Sequence, residues 1–277
     1  MSKLIIGCGY LGHRVAQKWR ENGDEVYALT RSTETAKQFQ QAGLIPIIGD
    51  VMQPETLSFP ENITTCLYAI GLDRSAGFSQ REVYVGGLSN VLQTESFQPE
   101  RLIYISSTSV YGQTDGSQIN EESATEPDRD NGVVCVDAET LVRDQLKMPW
   151  NILRLSGIYG PGRLLARKEK LAAREPMHGN PDGYLNLIHV DDAVQAVLKC
   201  EATPDAANEL FLISDDRPIL RREYYTLLSK QFGTPEPVFA EADNSNLAKR
   251  CDNSKARKLL GFAPVYPTIA EGVPASV

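Results

Sequence analysis

The sequence has no C-x-x-C pair, and its five cysteines (Cys8, Cys66, Cys135, Cys200, Cys251) are odd in number and widely spaced. Neither a disulfide framework nor a metal site follows from them, and a reducing cytoplasm is the expected home. No apolar run approaches the ~18 residues of a membrane span. The first apolar residues end in glycine rather than in a cleavage site, so the mature chain is expected to start at Met1. Positive charge is in deficit: 28 Lys plus Arg stand against 36 Asp plus Glu, a net charge of −8. That balance repels phosphate backbones and anionic lipid headgroups, so a small molecule, not a nucleic acid or a membrane, is the expected partner. With 42% hydrophobic and 23% charged residues among 277, the composition excludes disorder and collagen. The length suits one large α/β domain with a smaller one, burying about three quarters of the unfolded surface.

Residues 3–8 read as a short buried strand, and Leu11, Val15 and Trp19 then recur at helical spacing until Asn22-Gly23. Strand patterns at 25–30, 44–48, 63–70, 101–106 and 150–155 alternate with helical patterns at 33–42, 79–96 and 134–147. This alternation predicts an α/β fold, a Rossmann-type doubly wound parallel sheet. After Gly160-Pro161-Gly162 the spacing widens. The expected division is a dinucleotide-binding domain over 1–160, with strand returns near 187–198 and 208–214, and a smaller α/β substrate lobe over 161–277. The stretch 114–131 holds six carboxylates against one arginine and reads as a solvated loop.

Gly7-Cys8-Gly9-Tyr10-Leu11-Gly12 is G-x-G-x-x-G between the first strand and the first helix. The first glycine makes the tight turn, the second lets a pyrophosphate approach the backbone, and the third lets helix pack on strand. An NAD site ends its second strand in an acid that holds the ribose 2′-hydroxyl; here the strand ends Thr30-Arg31-Ser32. A guanidinium beside two hydroxyls suits a 2′-phosphate, which favours NADP(H) over NAD(H). Asp50 and Val51 after the third strand, and Ala69, Ile70 and Gly71 at the end of the fourth, complete the candidate cofactor-binding set.

These residues, together with Ile105-Ser106-Ser107-Thr108-Ser109-Val110-Tyr111-Gly112, Arg154-Leu155-Ser156-Gly157-Ile158-Tyr159-Gly160-Pro161-Gly162, Ile188-His189-Val190-Asp191-Asp192-Ala193 and Asp252-Asn253-Ser254-Lys255-Ala256 followed by Leu260-Gly261-Phe262, resemble the extended short-chain dehydrogenase/reductases, the group of nucleotide-sugar epimerases and dehydratases. The resemblance implies hydride transfer with the nicotinamide, a tyrosine of a Y-x-x-x-K motif moving the proton, and a serine orienting the reacting oxygen. Ser107 matches that serine. Members often dimerise through helices of the first domain, so a homodimer is an expectation carried by the resemblance.

The motif itself is missing. None of the eleven tyrosines has lysine four residues later, and no lysine occurs between Lys37 and Lys147. Setting Ala138-Glu139 on the family pattern puts Asn131 at the tyrosine and Cys135 at the lysine, and neither does the job. Gly157 and Tyr84 stand where the family often has asparagines. The pattern suits an atypical subgroup that keeps the cofactor fold and loses the dyad. Ser107 and Tyr111 are the candidate catalytic residues; Tyr84 and Cys135 are further candidates, and His189 reads as an N-cap. Two functions follow as expectations: an NAD(P)-dependent epimerase/dehydratase-like oxidoreductase acting on a small polar substrate, sugar nucleotides included, or a catalytically inactive NADP(H)-binding sensor.

Overall fold

The computed structural model describes residues 1–241 and 246–276. Their first half runs β1 (Ser2–Ile6), α1 (Tyr10–Glu21), β2 (Glu25–Thr30), α2 (Thr33–Gln41), β3 (Ile45–Ile48), β4 (Ile63–Tyr68), α3 (Gly87–Gln93), β5 (Leu102–Ser107), β6 (Asp115–Ile119), α4 (Asp130–Gln145) and β7 (Trp150–Leu155). Then come β8 (Gly157–Tyr159), α5 (Leu165–Ala172), β9 (Tyr184–Leu185), β10 (Leu187–His189), α6 (Val190–Ala202), β11 (Glu209–Ile213), β12 (Ile219–Leu220), α7 (Arg221–Phe232), β13 (Ala248–Cys251), α8 (Ser254–Leu260) and α9 (Ile269–Gly272).

Seven strands form one sheet in the order β3-β2-β1-β4-β5-β7-β11, and the pairings from β3 through β5 are parallel. The order runs outward both ways from β1, as the alternating strand and helix patterns predict. Leu4 and Ile6 of β1 share one core cluster with Leu88 and Val91 of α3 and Ala138 and Val142 of α4. Lys3, which precedes Leu4 and points to the other face of the sheet, is buried and pairs with Glu201. That carboxylate also accepts from Trp19 Nε1 and Thr65 Oγ1, each at 2.7 Å, so the buried charges are compensated. No helix among the described residues is long and apolar enough to cross a membrane.

The chain divides into two compact units: Met1–Val110, Pro127–Arg154 and Val197–Leu210 in the first, and Tyr111–Glu126, Leu155–Ala196 and Phe211–Val277 in the second. This partition interleaves segments that a single break after residue 160 would keep together. The second unit contains the ladders β8 with β10, β9 with β12 and β6 with β13. Its core gathers Tyr159, Leu171, Met177, Tyr224, Leu228 and Ile269. The solvated-loop reading of 114–131 is therefore corrected over 115–121, while Glu122, Glu126, Asp128 and Asp130 are exposed as that reading has them. Asp115–Ile119 pairs with β13, and the Glu121 carboxylate accepts from the Leu212 N–H at 2.7 Å, with burial raising its carboxyl above the usual range. Charge density along the chain carries no trace of a partner strand that arrives more than a hundred residues later.

Asp215 of the second unit is buried, with Oδ2 unpartnered, and burial pushes its carboxyl up to about 8. A raised folded-state value means that the folded chain holds a proton the unfolded chain has lost, so stability falls as pH rises from about 4 to 8. Asp215→Asn is expected to flatten that fall. Urea midpoints at pH 5 and pH 8 check it; equal pH dependence in wild type and variant would refute it.

Candidate functional site

The glycine loop lies at the carboxyl end of β1. Gly7 has φ +99°, and a Cβ on it would land on the backbone of Ala69 and Ile70; one on Gly12 would strike the Gly7 carbonyl. These two glycines are required by packing. Gly9 is different: it is exposed, and a Cβ there would meet nothing within 4 Å. It precedes α1 without a capping side chain, and the first turn of α1 carries no acid, so the amide end of the helix faces an open cradle. Burial pushes the Cys8 thiol up to about 12, which keeps negative charge out of the loop. Of the other residues in the loop, Leu11 is buried in the core and Tyr10 is partly exposed beneath the Arg14 guanidinium, 4.2 Å from the ring centre. These residues fit the diphosphate of a dinucleotide.

Next along the edge, Arg31 is exposed at the end of β2, with Nη2 2.9 Å from Asp73 Oδ2. The flanking hydroxyls have local work. Thr30 Oγ1 accepts from the Ser32 N–H and Ser32 Oγ accepts from the Thr35 N–H, capping α2, both at 3.2 Å. Asp50 Oδ1 accepts from the Met52 N–H at 2.9 Å, the geometry of a turn aspartate. Val51 belongs to the core cluster. Ala69 donates its N–H to the Ile6 carbonyl at 2.8 Å, while Ile70 is half-buried and Gly71 exposed, with open space around its Cα.

The end of β5 carries Ser106 and Ser107, with opposite fates. Ser106 Oγ donates to Glu139 at 2.6 Å, and the Glu139 carboxylate, fully buried on α4, also takes the Arg154 guanidinium at 2.9 Å from Nε and 2.6 Å from Nη2. Ser107 is half-buried, and its Oγ accepts from the Ser109 N–H at 3.1 Å. That is the bond of a serine capping the turn Thr108–Val110, and it leaves the hydroxyl its own proton to give. A Cβ on Gly132 would collide with the Ser109 carbonyl and with Pro127, so α4 starts hard against this turn. Asn131 is exposed there, and the Cys135 thiol is buried, 3.6 Å from Ser109 Oγ, with burial raising it above its ordinary range.

The helix read over 79–96 has a π-helical turn at Glu82–Gly86 before α3. Tyr84 sits mid-turn, half-buried, with its hydroxyl accepting from the Leu72 N–H at 3.3 Å. Such turns are frequent at functional sites.

Residues 4–213 match the NAD dependent epimerase/dehydratase family. The chain belongs to that family. Protein YeeZ of Escherichia coli is 24% identical over 269 residues, covering 95% of each chain. A UDP-glucose 4-epimerase from Thermotoga maritima, solved with UDP-glucose, matches with TM-score 0.80 at 20% identity over 100% of this chain and 97% of that one. A UDP-glucose 4-epimerase from Bifidobacterium longum in complex with NAD+ and UDP gives 0.81 at 19% over the same shares. At such identities the likeness is one of fold.

Membership in the epimerase/dehydratase family implies an NAD(P) cofactor and sharpens the departures. In the second unit, Gly157 is exposed, and a Cβ on it would meet Leu187 Cδ2 at 3.1 Å and the Asn186 carbonyl at 3.2 Å, a tight fit for the first atom of the asparagine often found at this point. Tyr111 is 1% exposed, its carbonyl accepting from the Lys249 ammonium. His189 Nδ1 accepts from the Asp191 N–H at 3.2 Å, the N-cap expected of it, and the ring lies between Tyr159 and Tyr266. Among the described residues no His, Cys, Asp or Glu group is arranged to hold a metal. A groove of about 780 Å³ in the first unit, lined by Phe59, Glu61, Glu95 and Glu100 among others, opens at the amino ends of β4 and β5, opposite the glycine loop. It has no basic residue and suits no phosphate. Asp73 and the Ser106–Glu139–Arg154 network were not singled out from sequence. Ser106, the Ala138-Glu139 pair and Arg154 each stand in a family motif, but nothing in the sequence joined them into one network, and nothing local marked Asp73.

Proposed function

We propose that this family member is an NADP(H)-dependent oxidoreductase of the epimerase/dehydratase type, acting on a small polar substrate such as a sugar nucleotide, in a subgroup that lacks the Tyr–Lys dyad. The open glycine loop carries the reading: an exposed Gly9 before an uncapped helix, on the sheet edge that also bears Arg31 and Ser107. Sugar nucleotides enter because the Thermotoga and Bifidobacterium epimerases of this fold hold UDP-glucose and UDP. NADP(H) is favoured because β2 is followed by a guanidinium, that of Arg31, and not by an acid. Arg31→Ala is expected to weaken NADP+ binding about 10–100-fold, the worth of hydrogen bonds to a charged group, and to leave NAD+ within about twofold. Titration calorimetry measures both; an unchanged preference would remove the claim.

When bound, the reduced nicotinamide supplies the hydride. Ser107, with its oxygen already held by the Ser109 N–H, gives its proton as a hydrogen bond to the substrate's reacting oxygen. Tyr84 accepts from the Leu72 N–H, and burial keeps its phenol protonated beyond its usual range, which suits an acid better than a base. Tyr111 is the other phenol to test, its ring buried. On a substrate whose carbonyl accepts that hydride, sought at 340 nm among the keto forms of UDP- and dTDP-sugars, Ser107→Ala is expected to lower turnover about 10²–10³-fold with cofactor affinity unchanged. Tyr84→Phe against Tyr111→Phe then identifies the proton donor; full activity in all three variants would misplace the site. The exposed Asn131 and buried Cys135 favour the second reading, a catalytically inactive NADP(H) sensor. Tight NADPH binding, with neither oxidation by these keto sugars nor epimerisation or dehydration of the parent sugars by the NADP+ form, would bring it forward.

A further inference from the structure

The guanidinium that would meet a 2′-phosphate already has a partner within the chain. Arg31 Nη2 and Asp73 Oδ2 are 2.9 Å apart, each side chain 47% exposed, across 42 residues of sequence. Asp73 comes from the loop after β4. Its other oxygen accepts from the Ser75 N–H at 3.0 Å and from Ser75 Oγ at 2.6 Å, which fixes the carboxylate at the head of the short turn Arg74–Ala76. Ser75, and Arg31 after it, hold the Asp73 carboxyl below the ordinary carboxylate range, so it is ionised throughout the neutral pH range. The neighbouring hydroxyls of Thr30 and Ser32 accept from backbone N–H groups of their own segment. Arg31 is thus the sole cation of the 30–32 run, and a fixed anion sits on it.

We propose that Asp73 is a built-in competitor for Arg31 and a determinant of cofactor choice, restraining NADP(H) affinity while leaving NAD(H) affinity untouched. The proposal rests on the reading that Arg31 meets the 2′-phosphate. That group brings a charge of about −1.5 to −2. It either uses fewer of the five guanidinium donors or displaces Asp73, and in both cases two anions share one cation. NAD(H), with a neutral 2′-hydroxyl, meets no such conflict. Asp73 thereby narrows the gap between the two cofactors in a chain whose β2 has no acid for the ribose. Because the pair is exposed, the effect is screened over ~8–10 Å at ordinary salt and fades as salt rises.

Titration calorimetry of NADP+ and NAD+ on the full chain, wild type against Asp73→Asn, tests this at about 50 mM and 500 mM KCl. Asparagine keeps an amide oxygen for Ser75, so the turn persists and only the charge leaves. The expected result is NADP+ binding about tenfold tighter at low salt and less than about threefold tighter at high salt, with NAD+ within about twofold throughout. Unchanged NADP+ affinity, or an equal gain for both cofactors, overturns the proposal. If Asp73→Asn melts early, Asp73→Ser serves the same comparison. Arg31→Ala separates the two levels. If it leaves NADP+ binding intact, the 2′-phosphate reading itself falls; if it weakens NADP+ while Asp73→Asn changes nothing, only the competitor role falls.

Discussion

Gly9→Val is expected to abolish binding of both NADP+ and NAD+ in a chain that still folds. The three glycines of the loop look alike in sequence and differ in what surrounds them. A side chain at Gly7 would collide with the Ala69 and Ile70 backbone at a φ of +99°, and one at Gly12 would collide with the Gly7 carbonyl. Those substitutions damage the fold before they report on binding. At Gly9 the space is open, so a valine costs the fold only the loss of a favoured N-cap residue, about 1 kcal/mol, or roughly 2–4 °C in melting temperature for a chain of this size. The same side chain fills the cradle in front of the α1 amides and is expected to weaken binding by more than about 100-fold, or about 2.7 kcal/mol. Calorimetry with both dinucleotides and a thermal melt check the two halves. Undiminished binding by a folded Gly9→Val chain would reduce the loop to a turn, and the reading of this chain as a dinucleotide-dependent enzyme would lose its main support.

The second large effect falls on stability. Glu139→Ala removes the carboxylate that accepts from Ser106 Oγ and pairs with Arg154, both partners buried. Removing one partner of a buried ion pair costs about 3–5 kcal/mol, a large share of the ~5–15 kcal/mol that holds a typical domain together. Urea unfolding is expected to show that loss, and Arg154→Met a comparable one. The double variant Glu139→Leu with Arg154→Met, which takes both charges away and keeps apolar volume, is expected to cost less than either single change. Additive losses would show that the pair is not coupled. The network has a functional side, because Ser106 precedes Ser107 and Glu139 lies one helical turn beyond Cys135. It fixes the end of β5 against α4, and Glu139→Gln is the milder variant with which to ask whether that register matters for turnover.

What the sequence determines by itself is local in origin. The strand, glycine loop and helix at 3–21 are read from spacing along neighbouring residues, and the order β3-β2-β1-β4-β5 follows from strands alternating with helices, which admit few crossovers. The residue types at 30–32 and the missing Y-x-x-x-K motif are facts of sequence that no folding alters. Tertiary structure decides the rest. It places the Ala69 backbone against Gly7 and leaves Gly9 open. It brings Asp73 to Arg31 across 42 residues, Ser106 to Glu139 across 33 and Lys3 to Glu201 across 198, and it lays β13 beside an acidic segment that reads as a loop. The reason is physical: periodicity and turn chemistry act within a few residues, whereas a distant partner is chosen only once closing the intervening chain is offset by packing of the whole unit, and that sum is written in no single stretch of the sequence.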